Sequence, residues 1–228
     1  MLAFEQFEVV SFDCYGTLID WRRGILDAVR PVLARHGITS SEDQILDLYS
    51  RLEAEVEAGS YKPYRRILRE VMTRMCEGFG FEPDDADVDV IAWSLADWPP
   101  FEDTVAALKS LKSRYQLAII SNTDDDLFGG TNRHLEVPFD YVITAAQVGA
   151  YKPDHRVFQF AFDKIGMPKE KILHVAQSLF HDHAPAKELG LTTVWINRRP
   201  ALPGRISSAA RPDAEFPDLA SLVKAIGL

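Results

Sequence analysis

The side chains able to do chemistry in this sequence fall in four short polar clusters, each placed after an apolar run. The run EVVSF at 8–12 ends in Asp13, with Cys14, Tyr15, Gly16 and Thr17 behind it; QLAII at 116–120 ends in Ser121 and Asn122. Lys152 stands in YKPD after YVIT at 141–144, and Gln177, Ser178 and Asp182 follow ILHV at 172–175. A carboxylate offered by Asp13 from a rigid strand end can attack an electrophilic carbon or phosphorus, forming a covalent intermediate that water later hydrolyses. Lys152 would hold that carboxylate ionised and in position, while Asp182 would orient or deprotonate the water. Thr17, Ser121 and Asn122 supply hydroxyl and amide groups for a substrate carboxylate or a developing oxyanion. Plainer readings stand beside these: Thr17, Ser121 and Asn122 as helix or turn caps, Lys152 and Asp182 as a structural ion pair. For Asp13 the plain reading fits worst, because a carboxylate after an apolar strand is costly without a use.

Strands must present these residues. Besides the runs at 8–12, 116–120, 141–144 and 172–175, a fifth lies at 193–196, and helical patterns occupy 104–111, 125–135, 155–165 and 185–189. Alternating strands and helices, with strands apolar on both faces, predict an α/β fold with a parallel sheet flanked by helices. In such sheets ligands sit at the carboxyl ends of the strands, where the four clusters fall. The interval 21–98 breaks the rhythm and carries helical signals alone. Ser41 and Gln44 form a capping-box pattern before Ile45, Leu48, Tyr49, Leu52 and Val56; Pro63 opens a stripe of Tyr64, Ile67, Leu68, Val71, Met72 and Met75; Val88, Ile91, Ala92 and Leu95 make another. The expected organisation is an α/β core from 1–20 and 99–228 with a helical subdomain, 21–98, inserted as a cap that would keep water from the strand ends. The stretch 198–217, with four prolines, reads as loop.

A chain of 228 residues allows one large domain or one core carrying a smaller insertion, and 46% hydrophobic with 26% charged residues is the composition of a globular protein. Its net charge of -9 opposes nucleic acid and anionic membranes, although a local cationic pocket would still take a small anion. Two cysteines exclude a disulfide framework and a four-cysteine zinc site, and point to a reducing cytoplasm. The N-terminal segment lacks signal-peptide features, and no apolar run is long enough to span a bilayer.

Taken together, FDCYGTLID, ISN, YKPD and HVAQSLFHDHAPAKELGL resemble the four ordered motifs of the haloacid dehalogenase superfamily, over nearly the whole chain. The resemblance implies a Rossmann-like core with an inserted helical cap, Asp13 as nucleophile, Lys152 and Asp182 as its catalytic partners, and Tyr15, Thr17, Ser121 and Asn122 around the substrate. The superfamily's phosphatases carry a second Asp two residues after the nucleophile, which protonates the leaving alkoxide, in a motif that assists magnesium. Here that residue is Tyr15, and Gln177 replaces the first acid of the fourth motif. A phenol with a pKa near 10 is a poor substitute for a carboxylic acid and brings no hard anionic oxygen, so no metal or cofactor is expected. Tyr15 is instead like the dehalogenase branch, whose leaving halide needs no proton. The expected activity is cleavage of the bond from carbon 2 of a small carboxylic acid to its leaving group, through an Asp13 ester. FDCYGTLIDW and SLFHDHAPA also resemble azetidine-2-carboxylate hydrolase, in which a protonated ring nitrogen departs. A phosphatase with degenerate metal ligands and a non-catalytic metabolite binder stay open beside these two hydrolases. Departures from the dehalogenase pattern are Phe158 for a Tyr, and Gln177 and Leu179 for a Ser and an Asn. The cap arginine that dehalogenases set against the halide would correspond to Arg51, for which a solvated helix face is the competing reading.

His174, His181 and His183 fit no standard zinc spacing, and His181 and His183 are expected to flank and position Asp182. Cys14 should point away from the site as a core thiol. The stripe Val157, Phe158, Phe160, Ala161, Phe162 is apolar nearly all round, which implies either deep burial or a homodimer contact.

Overall fold

Val9–Phe12 forms β1, buried at every position, and its β-branched and aromatic side chains suit a strand covered on both faces. The computed structural model describes residues 2–198 and 208–228. With β2 (Gln116–Ser121), β3 (Tyr141–Thr144), β4 (Ile172–Ala176), β5 (Thr192–Ile196) and β6 (Ala214–Phe216), β1 forms a six-stranded parallel sheet in the order β3-β2-β1-β4-β5-β6. From β1 the chain builds outward to β3 and then returns to β4 on the other side of β1. The carboxyl end of β1 is therefore the topological switch point at which open α/β sheets bind ligands, and Asp13 is its next residue. Between β1 and β2 the chain forms four helices, α1 (Trp21–Arg35), α2 (Glu42–Glu57), α3 (Tyr64–Gly78) and α4 (Asp85–Ser94). Helices α5 (Thr104–Lys112), α6 (Asp125–Asn132), α8 (His155–Ile165), α9 (Ala184–Glu188) and α10 (Leu219–Ile226) alternate with the strands, with a single turn, α7 (Ala145–Val148), after β3. This is the expected α/β, Rossmann-like arrangement.

One expectation fails at the C-terminal edge. The stretch 198–217 contains β6, which pairs with β5 from Val194↔Ala214 to Ile196↔Phe216. Three residues on a sheet edge are too few to show a period. Residues 199–207 of that stretch lie outside the described residues.

The capping box expected before Ile45 is formed at the start of α2, where Ser41 Oγ accepts from the Gln44 amide and the Gln44 side chain accepts from the Ser41 amide. Gly24 inside α1 is a packing requirement: a Cβ there would lie 2.3 Å from Trp98 Cγ. The outgoing and returning segments run side by side, with Asp20 N–H donating to Pro99 C=O at 2.9 Å and Phe101 N–H to Leu18 C=O at 3.0 Å. The helical layer docks on the strand ends through Asp124, whose two carboxylate oxygens accept from the Tyr64 and Arg65 amides at 2.8 and 3.0 Å. Those are N–H groups of the first turn of α3, whose own N-cap, Pro63, offers no side-chain cap.

On α8, Val157, Phe158 and Ala161 are buried, whereas Phe160 and Phe162 lie half-buried under Lys164 and Lys169, 5.9 and 4.8 Å from the ring centroids. No helix among the described residues is long and apolar enough to cross a membrane.

Candidate active site

Three segments of the chain converge on one ammonium. Lys152, on the loop after α7, is 2% exposed and spends all three N–H donors at once. Its Nζ lies 2.9 Å from Asp13 Oδ1, 2.6 Å from Asp182 Oδ1 and 2.8 Å from the Ile120 carbonyl at the end of β2. Asp13 is itself 7% exposed, and its backbone N–H bonds the Val175 carbonyl of β4 at 3.2 Å, so the carboxylate is set by the sheet. The second carboxylate oxygen of Asp13 accepts from Thr17 Oγ1 at 2.8 Å, and Thr17 Oγ1 in turn accepts from the Gln177 amide at 2.9 Å. A tight loop makes that return possible. Gly16 adopts φ +98°, and a Cβ on it would meet the Trp21 indole at 3.2 Å and Gln177 Oε1 at 3.4 Å.

Electrostatics follow from this packing. Burial, with the like charge of Asp182 behind it, raises the Asp13 pKa above 3.8 against the opposing pull of Lys152. Burial alone would discharge Lys152, but its two carboxylates outweigh that and hold the ammonium charged beyond its ordinary 10.5. Asp182 is pulled the other way from burial by Lys152 and a hydrogen bond from His174, well below 3.8. The site thus holds an ionised acceptor in Asp182 and a less strongly stabilised, more basic carboxylate in Asp13, the better nucleophile of the two.

Asp182 lies on a wide helical turn, Leu179–His183, that Ser178 Oγ caps by accepting from the His181 amide at 3.0 Å. Contrary to expectation, its flanking histidines do not orient it. His183 bonds the Ala176 carbonyl at 3.0 Å, and the His181 ring faces Ser178 at 3.2 Å; burial drops both pKa values to about 4, so both rings are neutral at pH 7. The imidazole that reaches Asp182 is His174 of β4, at 3.1 Å from Oδ1. The three rings make no metal centre, and no group of three metal-ligating side chains converges among the described residues.

The remaining sequence candidates separate. Asn122 joins the centre by bonding Lys152 through the backbone, and Ser121 is 1% exposed with an Oγ that finds no partner among the described residues. Tyr15 turns its hydroxyl to Thr131 Oγ1 at 3.0 Å and packs edge-on to Trp98. Cys14 is fully buried, as a core thiol should be. Arg51 is not at the site: its side chain is 63% exposed, pairs with Glu55 at 3.5 Å, and lines a hollow with Thr39, Asp47 and Phe79. The reason is helical phase, since position 51 lies roughly 200° around α2 from position 53.

Beside its buried Ile45, Tyr49, Leu52 and Val56, α2 brings two partly buried acids toward the site. Tyr49, Glu53 and Glu57 follow one another at helical spacing on one face. Glu53 Oε1 accepts from Tyr49 at 2.6 Å and from Tyr64 at 2.5 Å, and Glu57 Oε2 lies 3.4 Å from Asn122 Nδ2. Trp21 leans on Tyr49 at 5.7 Å and Tyr151 on Tyr64 at 6.2 Å, so aromatic rings enclose the pair. Burial pushes both carboxyls above 4.5, and Glu53 adds to the rise at Glu57. Glutamates interleaved with an apolar stripe were the available signal in the sequence, hidden because the stripe reads complete without them.

Known proteins similar to this chain show its family. A family model described as haloacid dehalogenase-like hydrolase matches residues 7–190. An (S)-2-haloacid dehalogenase of Pseudomonas fluorescens is 29% identical over 196 residues, 82% of this chain and 83% of its own. The (S)-2-haloacid dehalogenase H-109 of Pseudomonas putida is 26% identical over 226 residues, 96% and 97% of the two chains. Among solved structures, an L-2-haloacid dehalogenase superposes with a TM-score of 0.82 at 25% identity, covering 97% of this chain and 99% of its own.

Proposed function

The chain belongs to the haloacid dehalogenase-like hydrolase family, and from that premise we propose that it cleaves the bond between carbon 2 of a small carboxylic acid and its leaving group through an ester on Asp13. The observation that carries this reading is the shared ammonium: Lys152 keeps Asp13 ionised and aimed at 2.9 Å while holding Asp182 at 2.6 Å for the step that follows. In the first half-reaction an Asp13 oxygen bonds to carbon 2 and the leaving group departs with the electrons of the broken bond. In the second, water attacks the Asp13 carbonyl carbon, the ester bond breaks, and the 2-hydroxy acid leaves with its own configuration inverted. Asp182, which its lowered pKa keeps ionised, accepts a hydrogen bond from the water and takes the water's proton as the new C–O bond forms. Helices α1–α4, residues 21–98, act as the cap that excludes bulk water, and 1–20 with 99–228 as the core. Tyr15 and Gln177 stand where a magnesium-dependent relative would need carboxylates, so the reaction runs without metal. Two free thiols, both buried, fit a cytoplasmic protein, and the half-buried Phe160 and Phe162 offer the face for a homodimer.

A specific observation favours one version of the leaving group. A halide departing toward Glu53 and Glu57 would meet acceptor oxygens that give it no partner, whereas a protonated ring nitrogen, as in azetidine-2-carboxylate, would pair with them and favour the ionised form that burial alone disfavours. The test is a panel of L-2-chloropropionate, L-azetidine-2-carboxylate and p-nitrophenyl phosphate, each with and without magnesium. Turnover of either 2-substituted acid, with solvent oxygen entering Asp13 and not the product in a single turnover, is the expected outcome; phosphate release alone, or solvent oxygen in the product of the first turnover, would overturn the reading.

A further inference from the structure

We propose that His174, backed by Ser11, is a positioning residue for ester hydrolysis: it fixes Asp182 independently of Lys152, so that Asp182 Oδ2 is presented to the hydrolytic water. The inference rests on the Asp13-ester reading. His174 lies in β4 in register with Ser11 of β1, and it is fully buried. An imidazole there is costly to desolvate unless both ring nitrogens find partners, and both do. Nε2 donates to Asp182 Oδ1 at 3.1 Å, since a carboxylate can only accept; Nδ1 meets Ser11 Oγ at 2.9 Å, and Ser11 Oγ also lies 3.3 Å from the Leu173 carbonyl. Phe158 closes the ring's remaining side edge-on at 5.2 Å. The imidazole therefore has no freedom to turn.

What it holds is one oxygen of Asp182. Oδ1 takes two donors, Lys152 Nζ and His174 Nε2, whereas Oδ2 is buried and finds no partner among the described residues. An orphaned carboxylate oxygen in a buried site is expensive and calls for a water or substrate group. Lys152 divides its charge between Asp182 and Asp13, so its hold on Asp182 is not the same once Asp13 becomes an uncharged ester. His174 has no contact with Asp13 in its hydrogen-bond set and keeps its grip through both half-reactions. During hydrolysis a water proton passes to Asp182 Oδ2 as the new C–O bond forms at Asp13. The acid so formed gives the proton to the departing alkoxide when the ester C–O bond breaks, and Asp13, left as a carboxylic acid, releases its proton to solvent.

The experiment separates the two half-reactions in the full-length protein. His174→Phe keeps a planar ring without donors, and His174→Gln keeps an N–H near the Nε2 position. With L-2-chloropropionate and with L-azetidine-2-carboxylate, rapid quench followed by intact mass spectrometry reads the Asp13 ester directly. In His174→Phe the ester should form at close to the wild-type rate and decay about 10- to 100-fold more slowly, so that it accumulates, while His174→Gln recovers most of the decay rate. Equal slowing of formation and decay, or unchanged decay, overturns the assignment of His174. If His174→Phe fails to fold, Ser11→Ala decides, because loss of the Nδ1 partner should slow decay alone, and unchanged decay overturns the proposal. Turnover without any ester in wild-type protein or in Asp182→Asn would remove the Asp13-ester reading itself, and this inference with it.

Discussion

Asn122 grips Lys152 by both backbone polar groups, its Oδ1 accepting from the Lys152 N–H at 2.7 Å and its Nδ2 donating to the Lys152 carbonyl at 3.1 Å. The Lys152 ammonium then reaches back to the Ile120 carbonyl, two residues before Asn122, at 2.8 Å. Backbone and side-chain tip of one lysine are thus both tied to the end of β2. A flexible four-carbon chain becomes a fixed cation, and that is what lets it bridge two carboxylates instead of wandering between them.

Replacing Lys152 by Met should therefore do two things. It leaves Asp13 and Asp182 as buried like charges with no common counterion, a loss on the order of 3–5 kcal/mol in stability unless one of them protonates. Per folded molecule, KM should rise and kcat fall together, because the ammonium acts in ground and transition states alike. Lys152→Arg should not restore the rate, since a planar fork cannot reproduce three divergent bonds from one nitrogen. Steady-state kinetics normalised by thermal melts would check this; near-normal turnover in Lys152→Met would show the pair to be structural.

Asp13→Asn should abolish turnover by on the order of 10³-fold or more, because the amide keeps the shape but not the nucleophilic charge. Circular dichroism should be unchanged, and intact mass spectrometry should show no ester on the variant. A residual rate above a small fraction of wild type, in protein checked for deamidation, would unseat the nucleophile.

Much of this was legible from the residues and some was not. Strand positions are set by short apolar runs, and β3 and α8 fall where the pattern places them: β3 on a run whose Ile143 and Thr144 are buried, α8 on a helical stripe whose Val157, Phe158, Ala161 and Ile165 are buried. The four site clusters could be found because each is a costly polar residue after such a run. Arg51 misled because a motif-free arginine on an amphipathic helix carries no phase information until the partner surface is known; Glu53 and Glu57 occupy the inward face instead. His174 was hidden within a strand whose neighbours are all apolar, where only the register with Ser11 and the return of Asp182 reveal its partners.

The pKa directions fix a pH profile. Asp13 must be ionised to attack, and its pKa is raised above 3.8, so the acid limb of kcat/KM should lie above the ordinary aspartate range. Lys152 is held charged beyond 10.5, so it should contribute no alkaline limb through about pH 10. Stability responds with the opposite order. Asp182 has a depressed folded-state pKa, so its contribution is present above the unfolded value of about 3.9 and is lost only as pH falls toward the folded one. Acidification should inactivate the enzyme before it unfolds it. Activity and circular dichroism measured on the same pH series would test this, and coincident midpoints would count against it.

Activity should survive exhaustive chelation. Tyr15 spends its hydroxyl on Thr131 at 3.0 Å and Gln177 is uncharged, so two anionic oxygens that would neutralise a magnesium ion are missing beside Asp13. Full activity after dialysis against EDTA is the expected result. Loss of activity with chelator, restored by magnesium alone, would require a different first step.

The leaving group that the site prefers should depend on Glu57. Glu57 faces Asn122 at 3.4 Å, and Glu53 behind it is bonded by Tyr49 and Tyr64, so replacing the Glu57 carboxyl by an amide should change selectivity while the Lys152 centre stays intact. In Glu57→Gln the ratio of kcat/KM for L-azetidine-2-carboxylate over L-2-chloropropionate should fall on the order of tenfold, about the worth of one charge-assisted hydrogen bond. Arg51→Ala is the control: its side chain is 63% exposed on the far side of α2, and the same ratio should not move. An effect of Arg51 comparable with that of Glu57 would mean that α2 meets the substrate with the other face. A ratio unchanged in Glu57→Gln would remove Glu57 as the partner of a departing ammonium, because an ammonium held against a carboxylate cannot be indifferent to its loss.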